Sequence, residues 1–251
     1  MKLSHTQEAM LMRFIQCSSS ALLALALTST AAYAGLCEAP FMHDGGQAQL
    51  SGSGGMQLGA DLSFSDVRKD GADSCEARVQ GTATFGMAGL PPGKSSLDYW
   101  MAVKNGKASF ERRDAQGKRE PVNGKFDLRM LGLFAYGAPV TKAGQTFPAM
   151  RFQINVDHKA VQTQPIVVNT GLKKVGERQT IQTASGSQSC WPIRYTRITD
   201  PTQASFNGLV LPIPGMTSAV TDWFCPDVHM VMKQESEQSG VASVVEVTKL
   251  R

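Results

Sequence analysis

No apolar run in this chain approaches the roughly 20 residues a helix needs to cross a bilayer, so a membrane-spanning helix is not expected in the mature protein. No Cys-x-x-Cys pair occurs and no cysteine stands beside a basic residue that would lower its pKa, which removes the usual signature of a redox thiol. Gly-x-Ser-x-Gly is missing too, and with it the strand-to-helix elbow of one large hydrolase class. Basic residues are scattered, with both signs interspersed at a net charge of +4. Doublets such as Arg112-Arg113 and Lys173-Lys174 read as solvated strand-end pairs, so nucleic acid is not expected as a partner. No internal repeat of fixed period is found.

Two near-motifs fail on their own terms. Leu90-Pro91-Pro92-Gly93-Lys94-Ser95 ends like a phosphate loop, but Ala88 stands where that pattern needs its first glycine, and two prolines remove amide donors a phosphate cradle uses. The segment reads as a turn between strands. His43, His158 and His229 each have an aspartate nearby, but no two share a local metal-ligand spacing, and an adjacent Asp on a strand points to the opposite face. No metal, cofactor or catalytic residue is expected from these patterns. Paired carboxylates, which only tertiary structure can bring together, keep a secreted hydrolase open as one alternative.

What is present begins with a leader. Met12-Arg13, the apolar Ala21–Leu27 and the small residues Ala32 and Ala34 form a signal-peptide pattern over residues 1–34, with cleavage expected near Ala34 and Met12 as a second candidate start. Export follows, to the periplasm or beyond the cell. Cys37, Cys75, Cys190 and Cys225 remain after cleavage, an even number in an oxidising compartment, which predicts two disulfides. Of three connectivities, proximity favours Cys37 with Cys75 and Cys190 with Cys225. Each would close a loop of nearly forty residues and stabilise by about 3–4 kcal/mol in the chain-entropy treatment.

The mature chain reads as mainly β: a curved antiparallel sheet or half-barrel with at most one or two short helices. Residues 35–60, rich in Gly and Ser, read as a flexible arm. Residues 61–160 and 161–251 read as β-rich regions of one continuous sheet. Cys75 to Phe85 alternates small or apolar residues with polar ones, as a half-buried strand does. Asn105-Gly106 is a strong hairpin signal, and closing it with Lys104 opposite Lys107 sets Val103 against Ala108 and Met101 against Phe110. Phe152, Ile154 and Val156 mark another strand, and Ile166–Val168 and Arg178–Thr183 mark shorter ones. Trp191, Ile193 and Tyr195 share one face, Val228, Met230 and Met232 another, and Leu211–Pro214 reads as a Pro-rich bend between them. Gln238-Ser239-Gly240 should turn the chain into a final strand, Val241–Leu250. Phe126–Tyr136 alone has helical spacing, weakened by Gly132.

Val175-Gly176-Glu177-Arg178, the strand through Cys190 and Tyr195, Thr221-Asp222-Trp223-Phe224-Cys225-Pro226-Asp227-Val228, Val231-x-Lys233, Gly240 and Glu246–Leu250 resemble a bacterial periplasmic family of unknown function. Its members look architecturally similar to the lipoprotein carriers LolA and LolB. The resemblance covers roughly residues 160–251 and implies a half-barrel whose concave side takes an acyl chain, a lipopeptide or a protein segment. His229 stands where that pattern usually has glycine. Trp100, Trp191, Trp223, Phe224 and Met230 are the candidate apolar lining. The resulting expectation is a non-enzymatic envelope protein that binds a hydrophobic ligand. A module that pairs an exposed strand edge with an envelope protein is the alternative, with the Gly/Ser arm or the terminal hairpin as donor.

Overall fold

Period-2 alternation dominates the chain because side chains of successive strand residues point to opposite sides, and one side of this protein faces a core. The computed structural model describes residues 35–87, 93–105, 107–114, 116–121, 136, 138–154, 157–158, 161–206 and 209–251. Its first half runs through β1 (Gln47–Gly54), β2 (Met56–Lys69), β3 (Cys75–Met87), β4 (Gly93–Lys104), β5 (Lys107–Arg113), β6 (Arg119–Pro121), β7 (Thr146–Phe147), β8 (Met150–Ile154), β9 (Asp157–His158) and β10 (Val161–Thr163). The second half continues with β11 (Ile166–Thr170), β12 (Lys173–Val175), β13 (Gln179–Thr183), β14 (Gly186–Thr199), β15 (Thr202–Phe206), β16 (Leu209–Ile213), β17 (Met216–Cys225), β18 (Met230–Gln238) and β19 (Val241–Leu250). The helical content of the described residues is one 3-10 turn, Leu36–Glu38. The fold is mainly β, as expected; of the expected helix, only Tyr136 lies among the described residues.

A large curved antiparallel sheet runs in the order β6-β5-β4-β3-β2-β1-β19-β18-β17-β14-β11-β8 and does not close into a barrel. The long β14 pairs β17, and also takes β13, β12 and β11 as successive partners along its length. The last strand of the chain, β19, lies between β1 and β18, so the N-terminal and C-terminal regions share this sheet. They do not share all of it: β16-β15-β10-β9 form a separate four-stranded sheet.

One face of the large sheet carries the main core. Leu58, Ala60, Leu62 and Phe64 of β2, Ala77, Val79 and Ala83 of β3, Leu97, Tyr99, Met101 and Val103 of β4, and Val245 and Val247 of β19 are buried on it. Phe41 and Met42 join the same cluster, with the Phe41 and Phe64 rings 4.9 Å apart. Burying one such side chain contributes about 1.5–3 kcal/mol. Both disulfides form with the expected pairing, Cys37–Cys75 and Cys190–Cys225, and all four cysteines lie in this core.

The β4–β5 hairpin has the register read from its turn, with Lys104 opposite Lys107, Val103 opposite Ala108 and Met101 opposite Phe110, and Asn105 at φ 51°. The β18–β19 hairpin closes with Gln238 opposite Val241, and Ser239 and Gly240 both take positive φ. The segment Gly93–Ser95 of the phosphate-loop candidate opens β4, which pairs antiparallel with β3. Residues 88–92, between the two strands, lie outside the described residues.

Two readings are corrected. Residues 35–60 are not a loose arm: β1 lies in the sheet between β2 and β19, and Cys37 is tied to Cys75. Its glycines serve close approach rather than flexibility. A Cβ on Gly52 would meet the Leu58 carbonyl oxygen at 2.3 Å, and Gly54 sits at φ +96° against the Ala242 backbone, conformations and spaces that side chains do not fit. Leu211–Pro214, read as a bend, belongs largely to β16. Proline is tolerated there because β16 is an end strand, with β15 as its neighbour among the described residues.

Candidate functional site

β14 and β17 pair from Trp191 opposite Phe224 to Thr199 opposite Met216, and β15 and β16 then pair from Thr202 opposite Ile213 to Phe206 opposite Leu209. Residues 186–225 therefore form one long hairpin with an irregular joint at Asp200-Pro201 and Pro214-Gly215. Its base belongs to the large sheet and its end to the small one. Cys190–Cys225 fastens the base one residue beyond the first of these pairs.

On the base, the face opposite the main core holds a buried polar network. Asp222 is fully buried. Its Oδ2 accepts a hydrogen bond from the Tyr136 hydroxyl at 2.6 Å, and its Oδ1 accepts from Gln234 Nε2 at 2.7 Å and the Tyr195 hydroxyl at 3.4 Å. Arg197 Nη1 donates in turn to Gln234 Oε1 at 3.4 Å. The Lys173 ammonium lies 4.5 Å from the centre of the Tyr195 ring and 5.0 Å from that of Tyr136, within cation-π range. Burial, then the neighbouring Asp222 charge, pushes both phenols well above their ordinary value, so both stay protonated as donors. A carboxylate held by three donors among phenols that resist ionisation is suited to clamping strands together; it presents no activated nucleophile.

Gln234 reaches this face because of a bulge. Trp223 pairs Lys233 and Phe224 pairs Val231, so Met232 is the extra residue and the alternation of β18 resets there. Lys173 corrects another reading: it is buried, while its neighbour Lys174 is exposed. A charge is tolerated there because its ammonium lies against two aromatic rings on the face that also holds Asp222.

The five candidate lining residues do not converge. Trp100 lies under the Arg113 guanidinium, 3.7 Å from its ring centre. Trp191 and Phe224 share a small cluster with Val140, Val175, Ile193, Tyr136 and Phe147. Trp223 and Met230 pack on the other face, with the main core, where Trp223 Nε1 donates to Glu235 at 3.0 Å. Of the histidines, exposed His43 bonds the Asp44 backbone oxygen, and half-buried His229 has its pKa lowered by burial against the opposing pull of Asp227. His229 takes φ 53°, the backbone glycine favours, at the position where the resembled family usually has glycine. Among the described residues no three His, Cys, Asp or Glu side chains converge.

The end of the hairpin is different. No charged residue occurs between Asp200 and Asp222. Thr202 and Ala204 are buried, Ile213 is half-buried, and exposure then rises along the same face to 39% at Leu211 and 62% at Leu209. Val210, on the opposite face, is 58% exposed.

The backbone at this edge is blunted. The Gln203 carbonyl accepts from the Gln164 N–H at 3.1 Å, on the side away from β16. In an antiparallel ladder the N–H and C=O of one residue point the same way, so Pro212, opposite Gln203, faces away from β15, as does Val210 opposite Ser205. Val210 is thus the sole N–H donor that β16 turns outward, because Pro212 has none. Sequence reading missed both features. Asn207-Gly208 is the same turn signal as Asn105-Gly106, and Asp222 is an acid in the buried phase between Val220 and Phe224.

Two intrachain disulfides fit an extracytoplasmic location. No helix among the described residues is long and apolar enough to cross a membrane. No protein-family model and no curated protein matches the chain. Two solved structures are similar to it. A protein of Bacteroides fragilis, described as a candidate exported protein with a YmcC-like fold, has 10% identity and a TM-score of 0.48, the match covering 83% of this chain and 96% of that one. A candidate lipoprotein of Parabacteroides distasonis has 11% identity and a TM-score of 0.47, the match covering 85% of this chain and 98% of that one.

Proposed function

We propose that this chain is an exported, non-enzymatic envelope protein that binds an apolar partner, an acyl chain or lipopeptide, through the end of its long hairpin. The observation that carries the reading is the uncharged β15–β16 segment with Leu209, Val210 and Leu211 exposed in succession. Exposed apolar side chains taken singly are ordinary, but three in succession on an end strand form apolar surface of the kind that marks an interaction site. The signal-peptide pattern and the two disulfides support export. The half-barrel implied by the C-terminal resemblance is part of this proposal, as is the mature start near Ala34.

The test is delipidated protein titrated with an environment-sensitive fluorescent fatty acid and a fluorescent lipopeptide. Saturable uptake that Leu211→Asp weakens is expected. No saturable uptake contradicts the reading.

A second reading rests on the aromatic cluster. Tyr136, Phe147 and Phe224 pack partly buried around Trp191, whose Nε1 is buried without a hydrogen-bond partner among the described residues. An apolar ligand with one acceptor seated there would change tryptophan emission, whereas uptake at the β15–β16 end leaves it unchanged.

A further inference from the structure

We infer that the β15–β16 end of the hairpin seats in the interfacial layer of a lipid bilayer, an inference that rests on the apolar-partner reading above and names the partner as a membrane surface. Three observations choose a bilayer over a protein strand. First, strand addition needs a row of outward donors, and Pro212 leaves Val210 as the sole one in β16. Second, Leu209 and Leu211 lie on one face and Val210 on the other, so apolar surface surrounds the strand. A protein groove usually receives one face, whereas acyl chains surround whatever enters them.

Third, the whole stretch from residue 201 to 221 lacks charge, so its side chains can leave water without the desolvation cost an ionised group would impose. Exposure rising from Ile213 through Leu211 to Leu209 orients the insertion, with Leu209 leading. An end strand also suits a shallow position. Its outward carbonyls and the Val210 N–H keep water or headgroup partners in the interface, which the hydrocarbon centre would deny them.

The chain is basic, so anionic lipid would attract it without any help from the hairpin; neutral lipid separates the two effects. The experiment is flotation with phosphatidylcholine vesicles, using protein recovered from the periplasm of a bacterium expressing the full chain. Binding that persists at high salt is expected. The double variant Leu209→Asp/Leu211→Asp should lower it by roughly tenfold or more, from the transfer free energy of the lost leucines. Leu172→Asp is the control, since Leu172 is as exposed as Leu209 but lies between β11 and β12 and should bind vesicles unchanged. Val210→Lys, on the other face, provides a second weakened variant, and circular dichroism confirms that each variant is folded.

Vesicle binding that Leu172→Asp weakens as much as the double variant overturns the inference, as does binding that salt abolishes. Saturable uptake of the soluble fluorescent probes without vesicle binding overturns it too, yet leaves the apolar-partner reading standing. Absence of both removes the two together. A dimer in sedimentation equilibrium that Leu211→Asp dissociates, without vesicle binding, makes a second copy the occupant and overturns the bilayer.

Discussion

The two parts of the hairpin at residues 186–225 are solvated in opposite ways. At the base, β14 and β17 bury Asp222, Arg197 and, from neighbouring strands, Gln234 and Lys173. At the end, β15 and β16 carry no charge and expose Leu209, Val210 and Leu211. Ordinary proteins place these residue types the other way round. The base tolerates the inversion because its polar groups bond or pack against one another, so its cost is offset within the fold. The end has no such compensation among the described residues, which points to a partner.

That contrast is broken most strongly at Asp222. Asp222→Ala strands two buried phenols and the Gln234 amide, and should cost about 3–5 kcal/mol in urea unfolding with the disulfides intact. Next is the clasp: the Cys190→Ser/Cys225→Ser pair opens the loop between these two positions and should cost about 3–4 kcal/mol in the same measurement. Tyr136→Phe or Tyr195→Phe removes one donor and should cost about 1–2 kcal/mol near neutral pH.

The phenols also predict a pH dependence. Both are held above the ordinary 10.0 in the folded chain, so their contribution is complete below that pH and is lost as pH rises through the folded values. Urea midpoints should fall above pH 10.0 in the natural protein, and less steeply in either Phe variant. Leu209→Asp, at the other end of the hairpin, should change stability by no more than about 0.5 kcal/mol while weakening partner binding. Pro212→Thr sharpens the edge contrast: with an outward N–H restored, the variant should self-associate at lower concentration than the natural chain in sedimentation velocity.

Legibility in the sequence followed the range of each interaction. Register at Asn105-Gly106 was readable to the residue because turn chemistry and cross-strand pairing are local. The disulfide pairing was readable because each bond joins the nearer cysteine. Asn207-Gly208 carries the same dipeptide, yet Pro212 and Pro214 masked it, since proline reads as a bend unless the strand is known to be an end strand. The Gly/Ser stretch from Ser51 to Gly55 misled for a similar reason: composition does not distinguish a loose linker from backbones packed too closely for a Cβ. The buried network lies further from view. Tyr136 and Asp222 are 86 residues apart, and Gln234 reaches Asp222 only because the bulge at Met232 resets the alternation of β18. The signals present were the phase of Asp222 and a lysine doublet whose first member turns inward.

Amide hydrogen exchange of the intact protein, with and without phosphatidylcholine vesicles, tests the division between base and end most directly. The account predicts that amides in residues 202–213 gain protection when vesicles are added, while those in 191–199 and 216–225 keep the slow exchange set by the clamped base. Unchanged exchange at 202–213, or a change centred on the base, would contradict it.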